Sequence, residues 1–275
     1  MHRFHQFALV GLGGALGALA RLGMTTFGDP GVVGTFIANI AGSAALGLLT
    51  HEPRPDQLRW FAATGFCGGL TTMSTFAVEL VTGVSVAPLW VVATYGVLSV
   101  GLGLAAFSST RRLGPKHPLA AAVLGLTAIS ALTGLVAGLV EVAGRSLDVA
   151  IWFLVAAGLG AGVRGLLSAG EKFDRQLIAI AGINVVGAFA LGALSGFPDP
   201  ELFPGSSPGG VLTTQQAVDQ QLVLGVGALG AFTTFSTAIS QLENVARKND
   251  RQTSALVGIA MFVAIIGAAA LGRLF

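Results

Sequence analysis

The sequence predicts an all-α membrane protein of nine transmembrane helices: two inverted four-helix repeats, joined by a linker helix into an antiparallel pseudodimer. Three observations carry this. The 275 residues are 53% hydrophobic and only 10% charged, against about 25% charged in an ordinary soluble domain. Nine apolar segments approach the roughly 20 residues that a helix needs to cross a bilayer. Short polar signatures from the first half of the chain return in order in the second.

The nine segments run near Phe7–Thr26, Gly31–Leu49, Trp60–Val81, Pro88–Phe107, Leu119–Val140, Ala150–Ser168, Leu177–Ser195, Leu222–Leu242 and Ser254–Leu274. The first continues to Arg21 without a small-residue cleavage site, so it reads as a span and not as a removable signal. It ends in Gly-Ala-Leu-Ala-Arg21, which returns as Gly-Ala-Gly-Val-Arg164 at the end of the sixth. The second carries Ala38-Asn39-Ile40-Ala41-Gly42, and the seventh Ile183-Asn184-Val185-Val186-Gly187. The third holds Gly68-Gly69-Leu70-Thr71-Thr72-Met73-Ser74-Thr75-Phe76, and the eighth Gly230-Ala231-Phe232-Thr233-Thr234-Phe235-Ser236-Thr237. Glycine costs roughly 1 kcal/mol in a helix interior, and threonine hydroxyls compete for backbone partners. These stretches therefore read as breaks within membrane helices, where freed backbone groups can serve an ion. Close packing of small residues explains the glycines but not a repeated Thr-Thr-x-Ser-Thr.

The repeats are expected at 1–112 and 149–275, with the linker and its inverting helix at 113–148. Gly196–Gln221, with four prolines, reads as an extramembrane loop. Four helices, one, then four set the halves in opposite orientations. Basic residues agree: Arg3, Arg54, Arg59, Arg111, Arg112, Lys116, Lys172, Arg175, Arg247, Lys248 and Arg251, eleven of fifteen, fall on one side. The other side has Arg145 and Arg273, with acidic Asp29, Asp148, Asp199, Glu201 and Asp219. The positive-inside rule then gives a plasma-membrane protein with a cytoplasmic N-terminus and an external C-terminus.

Polar residues within spans default to functional roles. Asn39 and Asn184 sit at matching mid-helix places, as amide donors to an anion or as glue between helices. Arg21 and Arg164, ending matching helices, are read as snorkelling to an interface or shaping an electrostatic vestibule. Glu79 is unmatched, since Gln241 stands at its mate. The four histidines lie at helix ends or in loops, and the single cysteine, Cys67, allows no disulfide or metal cluster. A net charge of +2 gives no sign of a nucleic-acid partner.

The arginine, the mid-helix asparagine and the Thr-Thr-x-Ser-Thr break together resemble the Fluc (CrcB) fluoride channels, four-helix subunits that assemble as antiparallel dimers. The resemblance spans Phe7–Phe107 and Ala150–Leu274. It implies a single-chain pseudodimer, not an enzyme, whose partners are fluoride and the lipid membrane and which conducts fluoride passively out of the cytoplasm. It implies fluoride contacts from Asn39, Asn184, Ser74, Thr75, Ser236, Thr237, Tyr95, Ser99 and the ring edges of Phe76 and Phe235, the positive part of the aromatic quadrupole. It implies a structural sodium ion on the backbone carbonyls of Gly68, Thr71, Gly230 and Thr233. The chain departs from the family where Met73 replaces the first phenylalanine of one repeat and Ala238 the second of the other. Pairing across repeats leaves one intact pore, with Phe76 and Phe235, and one degenerate pore, with Met73 and Ala238. Met261 and Ile265 stand where the first repeat has Tyr95 and Ser99.

The main alternative is a proton-coupled small-molecule exporter with inverted repeats. It wants a carboxylate deep in each half, and Glu79 has no counterpart. An intramembrane hydrolase lacks a mid-membrane histidine, and a plain scaffold needs neither paired asparagines nor paired breaks.

Overall fold

The computed structural model describes residues 2–26, 31–169, 173–196 and 214–275. Among these residues it is all-helical, with nine helices long and apolar enough to cross a membrane. We number them α1 (His2–Thr26), α2 (Gly31–Leu49), α3 (Asp56–Val86), α4 (Leu89–Leu113), α5 (Pro118–Ala143), α6 (Leu147–Leu167), α7 (Phe173–Gly196), α8 (Val218–Lys248) and α9 (Arg251–Gly272). This is a multi-pass membrane protein.

Helix ends follow local chemistry. Pro118 opens α5 at a position where a missing N–H costs nothing. Gly114, at φ 69°, closes α4 in a conformation that suits only glycine. Asp250 caps α9, its carboxylate accepting from the Thr253 amide (2.6 Å) and hydroxyl (2.8 Å). Those bonds, the backbone one first, hold the Asp250 carboxyl below the usual carboxylate range.

The stretch expected as a loop, Gly196–Gln221, lies mostly outside the described residues. Its last part, Thr214–Gln220, is not a loop but a helix leading into α8. Gln-Gln-Ala-Val-Asp-Gln contains no glycine or proline to stop it. Asp29, Lys172, Asp199 and Glu201, used for orientation, also lie outside the described residues.

Packing recurs between the two halves. α2 lies along α4, and α7 along α9; the first part of α3 lies on α1, and the first part of α8 on α6. The second part of α3 packs on α7 and α9, and the second part of α8 on α2 and α4. At one end Arg112 reaches Glu243 (3.4 Å) and Arg111 reaches Asn244 (2.9 Å), tying α4 to α8. Arg145, after α5, meets Asp219 at 2.6 Å.

The linker helix α5 is more than a connector. It docks closely on α1 and has no such partnership with α6. A Cβ on Gly138 would strike the Leu19 carbonyl, and one on Gly134 the Ala20 carbonyl. Lipid tails are as apolar as leucine, so such small-residue contact is how membrane helices associate. The α6 positions matching Ala20 and Gly23 are Val163 and Leu166, which face outward.

Candidate functional site

The breaks in α3 and α8 meet at the centre of the bundle. Each follows a widened, π-type stretch, Arg59–Cys67 or Gln221–Leu229, a form common at functional sites. At Thr71 (φ −96°, ψ 149°) and Thr233 (φ −87°, ψ 163°) the chain becomes extended before the helix resumes.

The asparagines make the breaks. Asn39 Oδ1 accepts the Thr72 amide at 2.9 Å and Asn39 Nδ2 donates to the Thr72 carbonyl at 3.2 Å. Asn184 does the same to Thr234, at 3.0 and 3.1 Å. Each side chain thus stands in for a strand. The glue reading is met directly, and one N–H of each amide remains for another acceptor.

The consequence falls on four carbonyls. In an unbroken helix the Thr72 and Thr75 amides would serve the carbonyls of Gly68 and Thr71. They go instead to Asn39 and to Thr72 Oγ1. Likewise the Thr234 and Thr237 amides abandon Gly230 and Thr233 for Asn184 and Thr234 Oγ1.

Hydroxyls then join the two breaks reciprocally. Thr71 Oγ1 accepts the Ser236 amide (3.2 Å) and lies 3.1 Å from Ser236 Oγ. Thr233 Oγ1 accepts the Ser74 amide (3.2 Å) and lies 2.9 Å from Ser74 Oγ. Ser74 and Ser236 are therefore buried in the junction, whereas Thr75 and Thr237 are half-buried.

On one side of this junction Phe76 and Phe235 meet edge to face, centroids 5.6 Å apart. Tyr95 lies against Phe76 at 5.4 Å. Its hydroxyl donates to Glu79 Oε2 at 2.6 Å, and Thr35 Oγ1 donates to Oε1 at 2.6 Å. Tyr95 was expected as an anion donor; here its proton is held by the carboxylate. Ser99, buried at 1% exposure, lies beside the Tyr95 hydroxyl. Thr35 escaped the sequence reading, although it stands one helical turn before Asn39 on α2. Beside Glu79 a cavity of about 210 Å³ opens between the halves, with Thr75, Glu79 and Thr82 on one wall and Leu191, Ser195 and Gln221 on the other.

Three of the four matching places in the other half are apolar. Ile180 stands for Thr35, Gln241 for Glu79, Met261 for Tyr95 and Ile265 for Ser99. Ile180, Met261 and Ile265 join Met73 and Ala238 in one hydrophobic cluster. Gln241 Oε1 is buried there without a partner.

Arg21 and Arg164 correct an expectation. Each is 1% exposed, so neither snorkels nor lines a vestibule. Arg21 Nε donates to the Gly69 carbonyl (3.2 Å) and its terminal nitrogen to the Val226 carbonyl (2.8 Å). Arg164 Nε donates to Ala231 (3.0 Å). Close packing of α1 and α6 on the broken helices leaves no route to an interface; carbonyls accept from Arg21 Nε and a terminal nitrogen and from Arg164 Nε, while one terminal nitrogen of Arg164 is buried with no partner.

Comparison with known proteins bears on this geometry. The family model described as CrcB-like protein, Camphor Resistance (CrcB) matches residues 8–110 and again 151–273. The chain is 46% identical over 101 residues to the fluoride-specific ion channel FluC 2 of Rhodococcus jostii, covering 36% of this chain and 89% of that protein. It is 37% identical over 114 residues to FluC 1 of Mycobacterium bovis (38% and 86% covered). Against FluC of Methanopyrus kandleri it is 38% identical over 111 residues (37% and 82% covered). No solved structure matches.

Proposed function

This chain belongs to the CrcB-like family, matched once in each half, and from that premise we propose that it is a passive fluoride channel, not an enzyme, with one working pore. It is an inverted-repeat pseudodimer, its halves 1–112 and 149–275 turned over by the linker at 113–148, its N-terminus cytoplasmic and its C-terminus external. The reciprocal hydrogen bonds Thr71–Ser236 and Thr233–Ser74 support a pseudo-two-fold between the breaks.

The single observation that carries the one-pore reading is the contact of Phe76 with Phe235 across the halves. Fluoride surrenders strongly bound water to enter a pore, and donors with positive ring edges must replace it. Phe76, Phe235, the Ser99 hydroxyl and the spare N–H groups of Asn39 and Asn184 are such groups. Thr75 and Thr237 border the route, and Glu79 fixes Tyr95. On the other side Met73, Ala238, Met261 and Ile265 offer no donor.

The carbonyls of Gly68, Thr71, Gly230 and Thr233 would hold a structural sodium ion. The asparagine clamps release the first carbonyl of each break and the Thr72 and Thr234 hydroxyls the second, and a hard cation prefers backbone oxygen. The nearby guanidiniums oppose a cation, so its hold should rest on those oxygens. Bound, the ion would supply positive charge that favours anions in the adjacent pore.

The test is efflux from liposomes carrying the purified protein, with fluoride inside and chloride as control. Fluoride release without chloride release is expected; equal release of both, or of neither, would remove the proposal.

A further inference from the structure

Two buried guanidiniums at the centre of a membrane protein need an explanation. Among the described residues neither Arg21 nor Arg164 has a carboxylate in a salt bridge, and a buried charge is costly unless hydrogen-bonded. Their positions are reciprocal. Arg21, on α1, holds the Gly69 carbonyl in the break of its own half, and its guanidinium lies against Gly230 in the break of the other. Arg164, on α6, holds the Ala231 carbonyl in its own half and lies against Gly68 in the other.

At both glycines a side chain would have to displace the guanidinium. A Cβ added to Gly68 would overlap Arg164, standing 2.6 Å from its Cζ, and one added to Gly230 would overlap Arg21, standing 2.9 Å from its Cζ. Real Cβ atoms do not approach that closely. Neither glycine has positive φ, since the φ values are −69° at Gly68 and −63° at Gly230. Backbone freedom therefore does not require glycine there; the guanidinium does.

We propose that Arg21 and Arg164 are positioning residues that key the two breaks together, each tying down the broken helix of its own half and seated in a notch that glycine leaves in the other. Without the key the freed carbonyls and the phenylalanines beside them have no fixed register. Arginine suits the task because its planar fork bonds two carbonyls at once, as Arg21 does with Gly69 and Val226, where lysine presents a narrow, unforked head. The key holds whatever ion the pore takes.

The experiment is a cross-matched set of variants in the full chain, read by efflux and by thermal unfolding in detergent. Gly68→Ala and Gly230→Ala are each expected to lower efflux about tenfold or more. Adding Arg164→Lys is expected to restore much of the efflux of Gly68→Ala, and adding Arg21→Lys that of Gly230→Ala. Mismatched pairs, Gly68→Ala with Arg21→Lys and Gly230→Ala with Arg164→Lys, are expected to do no better than the glycine variants alone. Lysine keeps the charge, so the folded state is held through the series. A helix-breaking role for the glycines would make matched and mismatched pairs alike. Equal rescue, no rescue, or failure of the matched pairs to yield folded protein would overturn the key. If the parent chain itself releases no fluoride but unfolding temperatures recover only in the matched pairs, the key stands and the fluoride proposal is what fails.

Discussion

Phe76 and Phe235 stand edge to face at 75°, their ring centroids 5.6 Å apart, although they come from different halves of the chain. Met73 and Ala238, at the places matching Phe235 and Phe76, sit fully buried in the same cluster and bring no ring to it. Efflux from Phe76→Ile or Phe235→Ile is therefore expected to fall by about tenfold or more, while Met73→Ile and Ala238→Ile stay near the parent rate. Loss of half the flux in Phe235→Ile and of the rest in Met73→Ile would mean two active pores.

Gln241 Oε1 is buried with no partner, because Ile180 and Met261 replaced the hydroxyls that hold Glu79 in the other half. Leaving such an acceptor unsatisfied costs about 1–3 kcal/mol. Gln241→Leu is thus expected to raise the unfolding temperature and leave fluoride efflux intact. A lower unfolding temperature would show that Gln241 has a partner after all.

Removing an asparagine clamp has the opposite sign. Asn39→Ala strands the buried Thr72 amide and carbonyl, and Asn184→Ala those of Thr234, each at about 1–3 kcal/mol per unpaired group. Both variants are expected to unfold earlier than the parent by a similar margin. If either unfolds like the parent, the break forms without its clamp.

The linker helix gives a steric prediction. Gly138→Leu drives a side chain into the Leu19 carbonyl and is expected to destabilise by about 1–3 kcal/mol or more, as overpacking does. Leu166→Ala, at the outward position matching Gly23, is expected to change little. Equal effects would mean that α5 is not seated on α1.

Orientation is checked by reporters at the two ends. The excess of arginine and lysine on one side predicts a cytoplasmic N-terminus and an external C-terminus. Both ends reporting the same side would contradict an odd number of spans.

Some of this protein was legible residue by residue. Hydropathy is a local property, so nine spans follow from composition along the chain, and the helices of the described residues carry them. The breaks were legible because glycine and paired threonines act on their own backbone within a few residues. Repetition made Asn39 and Asn184, and Arg21 and Arg164, stand out as pairs without saying what either pair touches.

Tertiary structure decided the partners. Hydropathy cannot tell an arginine that snorkels from one sealed at 1% exposure, because the difference lies in which helices close over it. Thr35 gains its meaning only when α2 brings it 2.6 Å from Glu79, forty-four residues later. Gly68 and Gly230 read as helix breakers in one dimension; in three, each is the place where the other half's guanidinium fits. The sequence by itself determined the membrane class, the repeats and where the helices break, since those depend on short-range chemistry. Which side chain fills which gap depended on contacts between distant parts of the chain, and only packing sets those.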